Sequence, residues 1–143
     1  ILAGYAEEME RLMAANQGLK GRFAHHLHFD DYTAGELMQI AHNLLAEHQY
    51  ILADGAQVLL RSIVERVVAH KDCYFGNARW IKQFIESGIL PAMASRVMHR
   101  LQATEPDRAL LTSIEKDDVE AAERIYAPRQ VALCPRPRIG FVA

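Results

Sequence analysis

Phe75-Gly76-Asn77-Ala78-Arg79 heads the stretch that decides the fold. Behind it runs an apolar stripe: Trp80, Ile81, Phe84, Ile85, then Ile89, Met93, Val97 and Leu101. Residues recurring three and four apart share one face of an α-helix. The spacing therefore predicts a long helix over about 77–101. Gly88 and Pro91 fall inside it. Proline has no N–H to donate and its ring crowds the preceding turn, so a kink or break is expected there. The same stretch puts Arg79 in the first turn, just after a glycine. A guanidinium stays charged and its planar fork matches phosphate oxygens. The N–H groups at a helix start also favour an anion. Arg79 is therefore a candidate anion contact, set against the commoner use of a helical arginine as a solvated surface residue.

Upstream, Thr33-Ala34-Gly35-Glu36 has the form of a capping box, in which threonine and glutamate satisfy each other's backbone amides. It predicts a helix over about 34–49, with Leu37, Ile40, Ala41, Leu44 and Leu45 on its apolar face. Asp54 is placed to cap a second helix over about 55–70, striped by Leu59, Leu60, Ile63, Val64, Val67 and Val68. A loop at 71–76 joins it to the long helix. Downstream, 103–108 reads as a loop and 114–126 as a short charged helix burying Val119, Ala122 and Ile125. From Pro128, with Pro135 and Pro137 following, an extended tail is expected.

Before the capping box the pattern changes. Residues 1–4 read as a strand end. Residues 6–15 read as a short helix with Met9, Leu12 and Met13 on one face, and 24–29 as a short strand with Leu27 and Phe29 on one face. The fold class is thus mainly α, a helical bundle preceded by a strand–helix–strand piece. The start, Ile1-Leu2-Ala3-Gly4-Tyr5, has no initiator methionine and reads as the end of a buried strand. The chain is expected to be part of a longer protein.

At 143 residues, half of them hydrophobic and 24% charged, the chain is long enough for one domain with a real core. A net charge of −2 gives no basic field for nucleic acid or an anionic membrane, so neither is expected as a partner. No apolar run approaches the length of a membrane span. The two cysteines, Cys73 and Cys134, form no CxxC pair and are expected to be free thiols. His25, His26 and His28 invite a metal hypothesis. On a strand only His26 and His28 would share a face, and no acidic or cysteine partner has zinc spacing, so no metal is expected. His42 and His48 are too far apart for a zinc helix. Asp30 and Asp31 read as turn residues and Glu36 as a cap, rather than as acid–base groups. No GxxxxGK[ST] pattern occurs, so the chain has no phosphate cradle of its own.

One set of segments, in order, points to a family. Ile1-Leu2-Ala3-Gly4-Tyr5 is followed by Glu8-Met9, then Asn16-Gln17-Gly18-Leu19 with Gly21-Arg22-Phe23. Phe29-Asp30-Asp31-Tyr32-Thr33 with Glu36-Leu37 comes next, and then Phe75 to Arg79. The order resembles the C-terminal part of AAA+ ATPases of the CbbX (red-type Rubisco activase) and stage V sporulation protein K group. The likeness covers roughly residues 1–103, and more weakly 114–126 and Arg138-Ile139-Gly140-Phe141. Gln17 stands where the family commonly has proline, and Lys20-Gly21 where Arg-Ser is more usual.

The resemblance implies that 1–31 ends the large α/β subdomain, 32–127 is the helical lid and 128–143 a tail. It implies that Arg22 is the arginine finger acting on a neighbouring subunit's nucleotide. Arg79 would be the sensor-2 arginine, with Gly76 and Asn77 beside the nucleotide. ATP with Mg²⁺, a ring of subunits and a protein substrate follow for the full-length protein. The location implied is the cytoplasm, or the plastid stroma in a photosynthetic eukaryote. The Walker A and Walker B segments belong upstream of residue 1, so this chain alone is not expected to hydrolyse ATP. Two other readings remain open on the residues themselves. One is a stand-alone helical interaction module without nucleotide chemistry, its residues 1–16 binding a partner chain. The other is a sugar-phosphate or other small-anion site near Arg79.

Overall fold

The computed structural model describes residues 1–71, 75–102 and 107–130. Cys73 and Cys134 lie outside them, as does most of the loop read at 103–108. Contacts divide the chain into two units, one spanning Ile1–Asp31 and the other starting at Tyr32. In the first, α1 (Ala6–Ala15) and the single turn α2 (Gln17–Lys20) are joined at Asn16. Residues 1–5 and 23–33 are neither helix nor strand. The strands expected at 1–4 and 24–29 are therefore not formed. A strand is held by main-chain hydrogen bonds to a neighbour, and no described residue pairs with either stretch. Leu27 and Phe29 are exposed accordingly, and of the α1 stripe Met13 is buried while Leu12 is exposed.

The second unit is helical. It comprises α3 (Ala34–Glu47), α4 (Asp54–Ala69), α5 (Ala78–Phe84), a π-helical segment (Ile85–Ile89), α6 (Leu90–Leu101), α7 (Arg108–Thr112) and α8 (Lys116–Gln130). Each stripe read from the sequence in α3, α4 and α5–α6 faces one core. Leu37, Ala41, Leu45, Leu60, Ile63, Val64, Ile81, Phe84, Ile85 and Ile89 are buried in it. Burial of a side chain of this size contributes roughly 1.5–3 kcal/mol. The capping box is present: the Thr33 hydroxyl accepts from the Glu36 amide, and a Glu36 carboxylate oxygen accepts from the Thr33 amide at 2.8 Å.

Four features depart from expectation. Ala53, not Asp54, is the N-cap of α4, and Asp54 lies in the first turn, where its charge still suits the helix start. The break foreseen near Pro91 takes the form of the π segment, in which the Leu90 amide reaches back five residues to the Ile85 carbonyl. The wider turn places Pro91 in the first turn of α6, where a missing N–H costs least. In α8 Val119 and Ala122 are buried as expected, but Ile125 is 54% exposed. Tyr126, one position on, takes the inward place against Phe84. Finally, α8 runs to Gln130, past Pro128, where an extended tail was expected. A proline so near a helix end forfeits a single bond, to the carbonyl four residues back. Residues 131–143 are not described.

Two short strands clip the bundle. β1 (Ile51–Leu52) pairs in parallel with β2 (Ser113–Ile114), in register Ile51 to Ser113 and Leu52 to Ile114. Each strand feeds a helix, so α4 and α8 start side by side and run the same way. Lys116 stands against Gly55 near their starts, and Arg66 pairs with Glu123 further along. Among the described residues no helix is long and apolar enough to cross a membrane.

Candidate functional site

Gly76, Asn77, Ala78 and Arg79 form one tight turn at the head of α5. The Arg79 amide donates to the Gly76 carbonyl at 2.9 Å, closing the turn. Asn77 has φ 47° and ψ −123°, the conformation of the second residue of a type II′ turn. That position normally goes to glycine, and a side chain held there costs of order ~1–3 kcal/mol. One compensation is visible: Asn77 Oδ1 accepts from the Tyr32 amide at 3.1 Å. Tyr32 immediately precedes the capping box, so the start of α5 is tied to the start of α3.

The residues on either side of the turn fix its direction. Phe75 and Trp80 touch, with ring centroids 5.8 Å apart. Trp80 is only 9% exposed and stacks on Phe84, centroids 5.5 Å apart and planes within 9°. Trp80 is thus the core anchor its stripe position implied. Its neighbour Arg79, one step round the helix, is exposed. The arrangement presents a permanent cation to solvent from a turn pinned at both flanks.

Charge near the turn is also set by hydrogen bonding. The Thr33 amide and hydroxyl hold the Glu36 carboxyl below its ordinary range, so it is ionised at neutral pH. Among the described residues no group of three or more His, Cys, Asp or Glu side chains could hold a metal ion. His25, His26 and His28 are exposed, and His28 pairs with Asp30 at 3.3 Å.

Arg22 belongs to the other unit. It follows α2, its amide donating to the Leu19 carbonyl at 3.0 Å, and it is exposed. Gly21 before it has φ −76° and ψ −18°, ordinary right-handed backbone that needs no glycine. The structure therefore gathers Gly76, Asn77 and Arg79 in one turn and places Arg22 separately, in the unit Ile1–Asp31.

Sequence reasoning missed what holds this turn. The Gly-Asn pair was the available signal, since asparagine tolerates positive φ better than most residues. The tether to Tyr32, 45 residues away in sequence, had none.

The family model for the AAA lid domain matches residues 33–127. The chain is 36% identical over 127 residues to "Protein CbxX, plasmid" of Cupriavidus necator, covering 89% of this chain and 38% of that protein. It is 38% identical over 120 residues to a "Protein CfxQ homolog" of Galdieria sulphuraria, covering 83% of this chain and 38% of the relative. It is 34% identical over 117 residues to "Protein CbbX" of Cereibacter sphaeroides, covering 82% and 37%. The chain thus spans under two fifths of the length of these relatives.

Proposed function

The chain belongs to the AAA lid domain family, and from that premise we propose that it is the nucleotide-sensing lid of a ring-forming AAA+ ATPase. The full-length protein couples ATP hydrolysis to remodelling of a protein substrate, as a Rubisco-activase-like chaperone. The carrying observation is the Gly76–Arg79 turn: a strained asparagine fixes an exposed arginine on a packed helical bundle. Strain held in place by surrounding contacts is a mark of functional sites.

The residues present fit one side of a nucleotide. Arg79 offers charge and a donor fork to phosphate oxygens of its own subunit's nucleotide. Gly76 and Asn77 set the backbone that aims it. Arg22, on the other unit, serves the neighbouring subunit's nucleotide as the arginine finger, stabilising charge that develops on the transferred phosphoryl group. The described residues offer no cluster for Mg²⁺, whose ligands belong to the ATP-binding core. ATP with Mg²⁺ supplies the cleavable phosphate; the lid supplies sensing and closure.

Replacing Arg79 by alanine in the full-length protein tests this. ATPase activity and nucleotide-dependent assembly should both fall; if neither changes, the sensor reading is wrong. A second reading, a helical interaction module, draws on the exposed apolar side chains of the first unit, Leu27 and Phe29 above all. Full ATPase and assembly in the Arg79→Ala protein, with partner binding lost on Leu27→Asp, would favour it.

A further inference from the structure

Four aromatic rings form a continuous file through the bundle. Phe75 touches Trp80, Trp80 stacks on Phe84, and Phe84 meets the Tyr126 ring edge-on at 5.5 Å and 89°. Tyr126 is also hydrogen-bonded at its far end: its hydroxyl donates to the Gln83 carbonyl at 3.1 Å. The file thus links α8 to the head of α5. It is set by helix direction. Arg96 meets Asp118, Gly88 meets Ala122 and Gln83 meets Tyr126, so α8 runs antiparallel to the α5–α6 strip. Its later turns therefore lie toward the Arg79 end.

The Trp80 indole makes this file consequential. Its Nε1–H is buried and, among the described residues, has no hydrogen-bond partner. A buried indole usually finds an acceptor that fixes its orientation. Among the described residues, packing in the core sets it instead, with the rings of Phe75 and Phe84 both against it. Displacing Phe84 therefore displaces Trp80, and the next residue along the backbone is Arg79. The Asn77–Tyr32 bond, just ahead of α3, and this aromatic file from α8 both bear on where the arginine points.

We propose that Tyr126 is a positioning residue for Arg79, acting through Phe84 and Trp80. The proposal rests on the reading of Arg79 as the nucleotide sensor, and it gives α8 a part in sensing: movement of α8 against α5 changes where the arginine points. Edge-to-face and stacked rings tolerate little sliding before contact is lost, so the file transmits displacement rather than absorbing it.

The test compares Tyr126→Leu and Tyr126→Phe. In the 143-residue chain, nuclear magnetic resonance follows the Arg79 Nε–H and the indole N–H of Trp80, the one tryptophan. Tyr126→Leu should displace both signals; Tyr126→Phe, which keeps the ring and loses the hydroxyl, should displace them less. A lower melting temperature with both signals unmoved overturns the proposal and leaves Tyr126 a core residue only. Should Tyr126→Leu fail to fold, Tyr126→Met, which also removes the ring but fills the space with a flexible chain, decides in its place: displaced signals support the file, unmoved ones overturn it. In the full-length protein, Tyr126→Leu should raise KM for ATP by about tenfold, since a misplacement of ~1 Å can cost up to ~10²-fold. Tyr126→Phe should restore most of that loss. Displaced signals with KM unchanged would uphold the positioning and refute the nucleotide role of Arg79.

Discussion

Arg96 on α6 grips Asp118 on α8 with two nitrogens: Nε donates to Oδ1 at 2.8 Å and Nη2 to Oδ2 at 2.9 Å. The pair is 11% and 2% exposed. Nη2 also donates to the Ser113 carbonyl at 2.7 Å, and Nη1 to Glu115 at 3.0 Å. Asp118 in turn accepts from the Glu115 amide at the start of α8. One guanidinium thus joins α6, β2 and the head of α8.

Asp118→Ala should be strongly destabilising. It leaves a nearly buried guanidinium without its bidentate partner, and it removes the carboxylate that accepts from the Glu115 amide at the start of α8. Breaking a buried pair from one side costs about 3–5 kcal/mol, readable as a lower midpoint in urea. The hydrogen bonds Arg96 donates to Asp118, with the nearby carboxylates, raise the Arg96 pKa despite burial. A raised pKa gives stability that is complete below the ordinary value and lost only as pH climbs through the folded one. Both lie far into alkali for arginine, so Arg96 itself should add no pH dependence between about pH 5 and 9.

Gly88→Ala should destabilise by about 1–3 kcal/mol, the usual cost of overpacking. A Cβ there would stand 3.1 Å from the Ala122 Cβ and 3.4 Å from the Tyr126 ring. Both obstacles belong to α8, so the π segment cannot step aside without parting from it. Pairing Gly88→Ala with Ala122→Gly should recover part of the loss, and a double-mutant cycle by thermal melts measures the coupling.

Gln49→Gly should stabilise, by roughly 0.5–1 kcal/mol. Gln49 has φ 60°, the left-handed conformation that ends α3. Its amide donates to Ala46 at 3.0 Å and the Tyr50 amide to Leu45 at 2.9 Å, the paired bonds of a Schellman stop. Glycine takes this backbone without the Cβ penalty. A gain in melting temperature with the same helix content checks it.

Glu36→Gln should flatten the acid side of the stability profile. Because the backbone and then the hydroxyl of Thr33 lower the Glu36 pKa, its contribution is fully present above the unfolded value, near ~4.3. It is lost as pH falls through the lower folded value. The wild-type advantage over Glu36→Gln, followed by urea melts, should therefore shrink as pH drops below about 4. A difference constant from neutral pH into acid would contradict the cap's role.

The sequence alone determined the helical lid: its capping box, and the stripes Leu37 to Leu45, Leu59 to Val68 and Trp80 to Val97. These are local properties, written in residue types three and four apart along one chain, and periodicity reads them directly. The place of Arg79 in the first turn of its helix, after a glycine, was legible for the same reason; the turn at Asn77 was not read. The tertiary structure decided what faces what. Whether Ile125 or Tyr126 turns inward depends on where Phe84 sits, and the form of the break before Pro91 on how closely α8 approaches Gly88. Arg96 and Asp118, 22 residues apart, carry no local signal of their pairing; helix crossing brings them together and desolvates them. Strands at 1–4 and 24–29 were legible as patterns but did not form, because a strand needs a neighbour's hydrogen bonds and a helix carries its own.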